Sequence, residues 1–186
     1  MPSFTEKAIT DTFIKLLNQK PLDKITVKDL VDECGINRST FYYYFEDIYA
    51  LLEHVLFEET ETAIENYGDY NNWLEGFYHA ASFALDNRKA IYHIYNSVSR
   101  EMLEKYLYKI VENVIKVAIK SQIGTLSVSE FDKKLIIEVY KSMLVGLILN
   151  WLESGMKTDA NQKLARLGVL LEGNIHSMLE KAAENK

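Results

Sequence analysis

Apolar side chains recur three and four positions apart along nearly the whole chain, the spacing that lays them on one face of an α-helix. Phe4, Ala8, Ile9, Phe13, Leu16 and Leu17 make the first stripe. Ser3 and Glu6 open it as a capping-box pair and Lys20-Pro21 closes it, which predicts a helix from about 4 to 20. Thr26 and Asp29 open a second, short helix carrying Val27, Leu30 and Val31 and ending at Gly35. Asn37 caps a third, to about Tyr44, and Asp47 a fourth, in which Ile48, Leu51, Leu52, Val55 and Leu56 share a face before Gly68. Further helices follow over about 70–86, 88–97, 99–122, 129–154 and 160–182. Ser129 with Asp132 caps the one before last, and Gly124 and Gly155 bracket it. Two prolines and eight glycines are too few turn-formers for a many-stranded sheet. The expected fold class is all-α, with about nine helices.

Composition narrows the function more than the fold. A chain of 186 residues, 48% hydrophobic and 26% charged, can bury a core without staples. The single cysteine, Cys34, forms no internal disulfide and is expected to be a small buried core residue, and the N-terminal stretch lacks the basic and apolar regions of a secretory leader. A cytoplasmic protein is therefore expected. The longest apolar region, Leu135 to Leu152, is interrupted by Glu138, Lys141 and Asn150, so no membrane span is predicted. No two glycines lie closer than five residues, which excludes the dinucleotide fingerprint and the serine-nucleophile elbow. Gly168 and Gly173 have phosphate-loop spacing, but Asn174 stands where a lysine is needed. No histidine follows a glutamate by three residues, and Glu75 with His79 is read as a solvated pair on one helix face. With no nucleophile beside a base and no ligand cluster, the chain is expected to be no enzyme and to need no metal or cofactor.

The stretch that carries function is residues 26–45, TVKDLVDECGINRSTFYYYF. A short amphipathic helix, the tight Gly35-Ile36-Asn37 turn and a second short helix make a helix-turn-helix, which lays its second helix in the DNA major groove. That second helix offers Arg38, Ser39, Thr40, Tyr42, Tyr43 and Tyr44 outward, all donors or acceptors that reach phosphates or base edges, while Phe41 and Phe45 anchor it inward. The pattern Thr26-Val27, Leu30, Gly35-Ile36, Thr40-Phe41-Tyr42, Phe45 and Leu51-Leu52 resembles the N-terminal domain of the TetR family of bacterial regulators. FYYYF followed by EDIY is similar to a branch that includes regulators of dihydroxyacetone kinase operons. The resemblance implies a DNA-binding head over 1–46 and a helical effector-binding and dimerisation domain over 47–186. It implies that Arg38 and Tyr43 reach base edges, while Thr26, Lys28, Thr40, Tyr42 and Tyr44 hold the backbone. At the start of the fourth helix, where the family often has a lysine, this chain has Ile48.

Charge pulls the other way. Residues 1–60 hold six basic side chains against eleven acidic ones, net −5, so the reader is more acidic than the body and weak non-specific DNA affinity is expected. Asp29, Asp32 and Glu33 are expected to face away from DNA.

In the body, apolar residues go almost all the way round the helix over Leu135 to Leu152, and a second stripe follows. The resemblance implies that these last helices pair across a two-fold axis, giving a homodimer on a near-palindromic operator. The expected interface is Leu144, Leu147, Ile148, Trp151, Leu167, Leu171, Ile175 and Met178, with Gly146 and Gly168 permitting close approach. An effector pocket is expected among the helices from 70 to 154, with Phe77, Tyr95, Tyr106, Tyr140 and Met143 as walls. The function implied is a transcriptional repressor released by a small molecule. The alternatives are a regulator or activator controlled by a protein partner, or, from another class, a helical enzyme or scaffold.

Overall fold

The computed structural model describes residues 3–67, 81–157 and 160–184, with the backbone alone for 59–67, 160 and 161. Among these, all regular structure is helical, as the spacing of apolar residues predicts. The elements are α1 (Phe4–Leu17), a 3-10 turn at Leu22–Lys24, α2 (Val27–Cys34), α3 (Arg38–Tyr44) and α4 (Ile48–Tyr67). Then come the helical residues 81–86 (α5), α6 (Arg88–Ser97), α7 (Arg100–Gln122), α8 (Glu130–Glu153), α9 (Ala160–Leu171) and α10 (Asn174–Glu184).

Two compact units make up the chain. The first contains the described residues of 1–58 together with 84–103; the second contains those of 59–83 and 104–186. The first unit, which holds the span 1–46 expected as the head, also takes in α6, which packs against α1. Asn18 Nδ2 donates to Asn87 Oδ1 at 3.1 Å, and His93 Nδ1 lies 2.5 Å from the Leu17 carbonyl oxygen. The core of this unit is built from Ile9, Phe13 and Leu17 of α1, Leu30 and Val31 of α2, Phe41 of α3, Leu51 and Leu52 of α4, and Ile94 of α6. Phe4, the first residue of the sequence's apolar stripe, stays 92% exposed.

In the second unit α8 carries the core on Ile136, Tyr140, Leu144, Val145, Leu149 and Leu152, and packs on α10 through Ile175 and Leu179. Lys141 ties it to α7, its Nζ 3.0 Å from Oε2 of Glu112. Glu112 also meets Lys116, and its hydrogen bonds to the two lysines, that to Lys116 foremost, lower its carboxyl pKa. By length and composition α8 could cross a membrane, with a third of that stretch buried within the protein.

Two boundaries differ from the expectation. Helix α1 stops at Leu17, three residues early, because the Asn18 side chain donates to the Ile14 carbonyl and caps the last turn. The single helix expected over 160–182 is two helices, since Gly173 adopts φ of +70° and turns the chain between α9 and α10. The phosphate-loop spacing at Gly168 and Gly173 therefore ends in this turn.

Candidate nucleic-acid interface

The helix-turn-helix is held by caps at each end of its two helices. At the start of α2 the Thr26 hydroxyl accepts from the Asp29 backbone N–H (3.1 Å) and donates to Asp29 Oδ2 (2.7 Å), while the Thr26 N–H donates to the same carboxylate (2.9 Å). Lys20 Nζ lies 3.0 Å from Asp29 Oδ2. The Thr26 hydroxyl first, and then Lys20, hold the Asp29 carboxyl down to a pKa of about 2. Gly35 ends α2 at φ of +72°, a left-handed conformation that side-chain-bearing residues rarely adopt, and Ile36 N–H returns to the Val31 carbonyl at 3.1 Å. Asn37 then caps α3. Its Oδ1 accepts from the Thr40 N–H (2.8 Å) and from the hydroxyls of Ser39 (2.6 Å) and Thr40 (2.8 Å).

Beneath the helix lie Phe41 and Phe45, both buried, with rings 5.9 Å apart. Above it the expected reading face divides into two groups. Arg38, Tyr42 and Tyr43 are open to solvent, the tyrosines by 56% and 81%, and Lys28 of α2 is exposed as well. Among the described residues neither Lys28 nor Arg38 forms an ion pair. By contrast Thr26, Ser39, Thr40 and Tyr44 are engaged within the protein, the first three in caps and Tyr44 as acceptor of a 2.9 Å hydrogen bond from Ser3 Oγ. A hydroxyl that donates to its own cap must turn before it donates to a phosphate, which sets Thr26, Ser39 and Thr40 apart from the uncommitted Lys28, Arg38, Tyr42 and Tyr43, while Tyr44 accepts from Ser3 and keeps its own proton to donate.

Three of the head's carboxylates are paired with lysines of the head itself. Glu33 Oε1 lies 2.5 Å from Lys15 Nζ of α1, Asp29 is committed to Thr26 and Lys20, and Asp23 pairs with Lys24. Asp32 remains exposed. Cys34, expected to be buried, is half-exposed at the end of α2.

The Asp29 cap gives a pH test. A carboxylate whose pKa is depressed on folding adds stability above its unfolded value, near 4, which fades as pH falls toward about 2. Asp29→Asn is therefore expected to lower the melting temperature at neutral pH, with the gap from wild type closing in acid. Thermal melts from about pH 7 to about pH 2.5 check this; a gap independent of pH would assign the effect to packing.

Elsewhere the expected sites are partly brought together. Tyr106 and Tyr140 are buried in the second unit and Met143 is half-buried there, and burial raises the Tyr140 pKa. Tyr95 is half-buried in the first unit, and Phe77 lies outside the described residues, as do Glu75 and His79. Of the expected dimer face, Leu144 and Ile175 are 2% and 1% exposed within the single chain, so they have no surface left to offer a partner. Leu147 is exposed, and Ile148, Trp151, Leu167, Leu171 and Met178 are half-buried. Outside the expected interface set, Phe131, Leu135 and Val139 of α8 and Val169 and Leu170 of α9 are large, apolar and exposed. Their i, i+4 spacing along α8 was the available signal. Around Gly146, space is open where a side chain would stand.

Comparison with known proteins agrees with this architecture. Residues 9–55 match the model of bacterial regulatory proteins of the tetR family, and residues 71–173 match that of a transcriptional regulator C-terminal region. An uncharacterized HTH-type transcriptional regulator of Bacillus subtilis, YxbF, is 27% identical over 56 residues, which cover 30% of this chain and 15% of that protein. The dihydroxyacetone kinase operon activator DhaS has a similar fold, with a TM-score of 0.64 and 21% identity over 97% of both chains. A structure from Shewanella sp. PV-4 assigned to the tetR family superposes with a TM-score of 0.51 and 15% identity, covering 92% of this chain and 98% of that one.

Proposed function

The chain belongs to the TetR family of bacterial transcriptional regulators, and on that premise we propose that it is a homodimeric repressor whose hold on a near-palindromic operator is released by a small molecule. The observation that carries the DNA reading is the exposed face of Arg38, Tyr42 and Tyr43 on a helix locked from below by Phe41. The dimer reading rests on Phe131, Leu135, Val139 and Leu147 of α8 and Val169 and Leu170 of α9, large apolar side chains that a lone subunit leaves in water. A ligand alters DNA affinity only by binding one spacing of the two heads better than another, so α4, which leaves the head unit for the body, is the lever we assign. An activator is the second reading; the similarly folded DhaS is named an operon activator, so the sign of regulation needs a reporter assay.

Fluorescence anisotropy with labelled DNA from upstream of the gene tests the first reading. Arg38→Ala is expected to weaken operator binding by roughly 1 to 3 kcal/mol and to relax preference at one base pair per half-site. Lys28→Ala should weaken all sequences alike and flatten the salt dependence by about one unit. Unchanged affinity in both Arg38→Ala and Tyr43→Phe would remove α3 as the reader.

A further inference from the structure

Taking the head as a DNA reader, we infer that Ser3, the N-cap of α1, is a positioning residue for the last turn of α3, where its hydroxyl holds the Tyr44 phenol as a neutral donor to a DNA phosphate. The two residues lie far apart in sequence, yet Ser3 Oγ stands 2.9 Å from the Tyr44 oxygen. Ser3 is committed on its other side. Its N–H donates to Glu6 Oε2 at 3.1 Å and its Oγ accepts from the Glu6 N–H at 3.1 Å, the reciprocal pair that opens α1. The serine is therefore fixed by the helix it caps, and its own proton goes to Tyr44.

Tyr44 is fixed as well, ring first. It is the last residue of α3 and half-buried. Its ring is tilted against that of the buried Phe45, with centroids 6.3 Å apart, and meets that of the exposed Tyr43 edge-on at 5.0 Å. Packing thus holds the ring, and Ser3 holds the oxygen at its end. Among the described residues Ser3 is the one hydrogen-bond partner of that oxygen, so a phenol that accepts from Ser3 finds no acceptor for its own proton within the protein.

A phosphate fixes the direction of the whole chain of bonds. Its oxygens only accept, so a bond from Tyr44 to phosphate requires the phenol to donate outward and to accept from behind. The order is then Glu6 N–H to Ser3 Oγ, Ser3 O–H to the Tyr44 oxygen, and Tyr44 O–H to the phosphate. Every member donates the same way, the arrangement in which successive hydrogen bonds strengthen one another. Thr26, Ser39 and Thr40 have no such support, because their hydroxyls donate to the oxygens of their own caps and forfeit those bonds on turning to DNA. In a head that carries net −5 over residues 1–60, an uncharged donor held in place adds a phosphate contact that needs no further cation.

A double-mutant cycle, read by anisotropy with labelled DNA from upstream of the gene, supplies the test. Glycine serves at an N-cap nearly as well as serine, so Ser3→Gly removes the hydroxyl at little cost to α1, which a melting curve checks. Ser3→Gly is expected to weaken binding by roughly three- to tenfold and Tyr44→Phe by roughly tenfold, at every sequence and with the salt slope unchanged, since a neutral donor releases no counterion. In the Tyr44→Phe background Ser3→Gly should cost nothing more, and Ser3→Thr, which keeps both cap and donor, should bind as the wild type does. An equal loss from Ser3→Gly in both backgrounds would assign Ser3 to capping α1 alone and overturn the proposal. A salt slope that flattens by about one unit in Tyr44→Phe overturns the neutral contact. A second arm needs no DNA. In NMR spectra of the full chain Ser3→Gly is expected to shift the ring signals of Tyr44 and Tyr43, and unmoved rings overturn the link between the helices. If the wild type binds no DNA at any salt concentration, the DNA reading fails and the phosphate contact with it, and the NMR arm alone decides whether Ser3 positions Tyr44.

Discussion

Phe41→Ala is expected to destabilise the head by about 3 to 5 kcal/mol and to abolish operator binding, while the body stays folded. The reason lies in the length of α3. Seven residues, Arg38–Tyr44, are too few to hold a helix by themselves, because nucleation fixes several dihedrals for each early hydrogen bond. The Asn37 cap supplies one end, and the buried Phe41 ring, 5.4 Å from Tyr42 and 5.9 Å from Phe45, supplies the anchor. Its loss leaves a cavity under the helix proposed to enter the major groove. Urea unfolding followed by circular dichroism measures the cost, with Tyr43→Ala as the control. Tyr43 is 81% exposed, so its removal should leave stability within about 0.5 kcal/mol and act on DNA affinity alone. A loss below about 1 kcal/mol in Phe41→Ala would mean that the caps, not the core, hold the helix.

The second large effect concerns the body. Val139 is 48% exposed in the single chain, so Val139→Glu should change the stability of an isolated subunit by no more than about 0.5 kcal/mol. Across the proposed interface the same carboxylate would be buried without a partner, a cost of several kcal/mol that dissociates the dimer. Two linked heads bind a palindrome far better than one, so operator affinity should fall on the order of a hundredfold or more. Light scattering at micromolar protein reports the mass, and anisotropy the affinity. Gly146 sharpens the result. Nothing stands within 4 Å of where its Cβ would be, so Gly146→Ala in a lone subunit should gain up to about 1 kcal/mol of helix stability. Against a closely packed partner helix the added methyl weakens association instead. A more stable protein with unaltered association would show that no partner crosses α8 at Gly146.

Much of the head was legible because its determinants are local. Thr26 with Asp29, Asn37 with Thr40, and Gly35 between them define two helices and a turn within nineteen positions, and each of these contacts is present at hydrogen-bond distance. The same logic placed Ser3 with Glu6 and Ser129 with Asp132 at the starts of α1 and α8. It did not see that Asn18 ends α1 early, since a side chain bonding back to Ile14 competes with helix continuation in a way that apolar spacing does not report. Nor did it see the break at Gly173, because apolar residues keep helical spacing on both sides of it.

By itself, the sequence determined the all-helical class, the helix-turn-helix and its family, for these follow from periodicity, capping pairs and a turn glycine that act over three or four residues. Only the tertiary structure decided which side chains are free. Ser39 and Thr40 read as DNA donors from their place on α3, yet they turn to Asn37, and Leu144 and Ile175 read as interface, yet they fill the subunit core. A helix that is apolar all round gives no hint of which face its own chain covers, and that is set by α10 packing on one side of α8. The hydrogen bond from Ser3 to Tyr44 is of the same kind. Residues 3 and 44 are far apart along the chain, and it is the folding of α1, α2 and α3 onto a shared core that brings the hydroxyl of one within 2.9 Å of the phenol oxygen of the other.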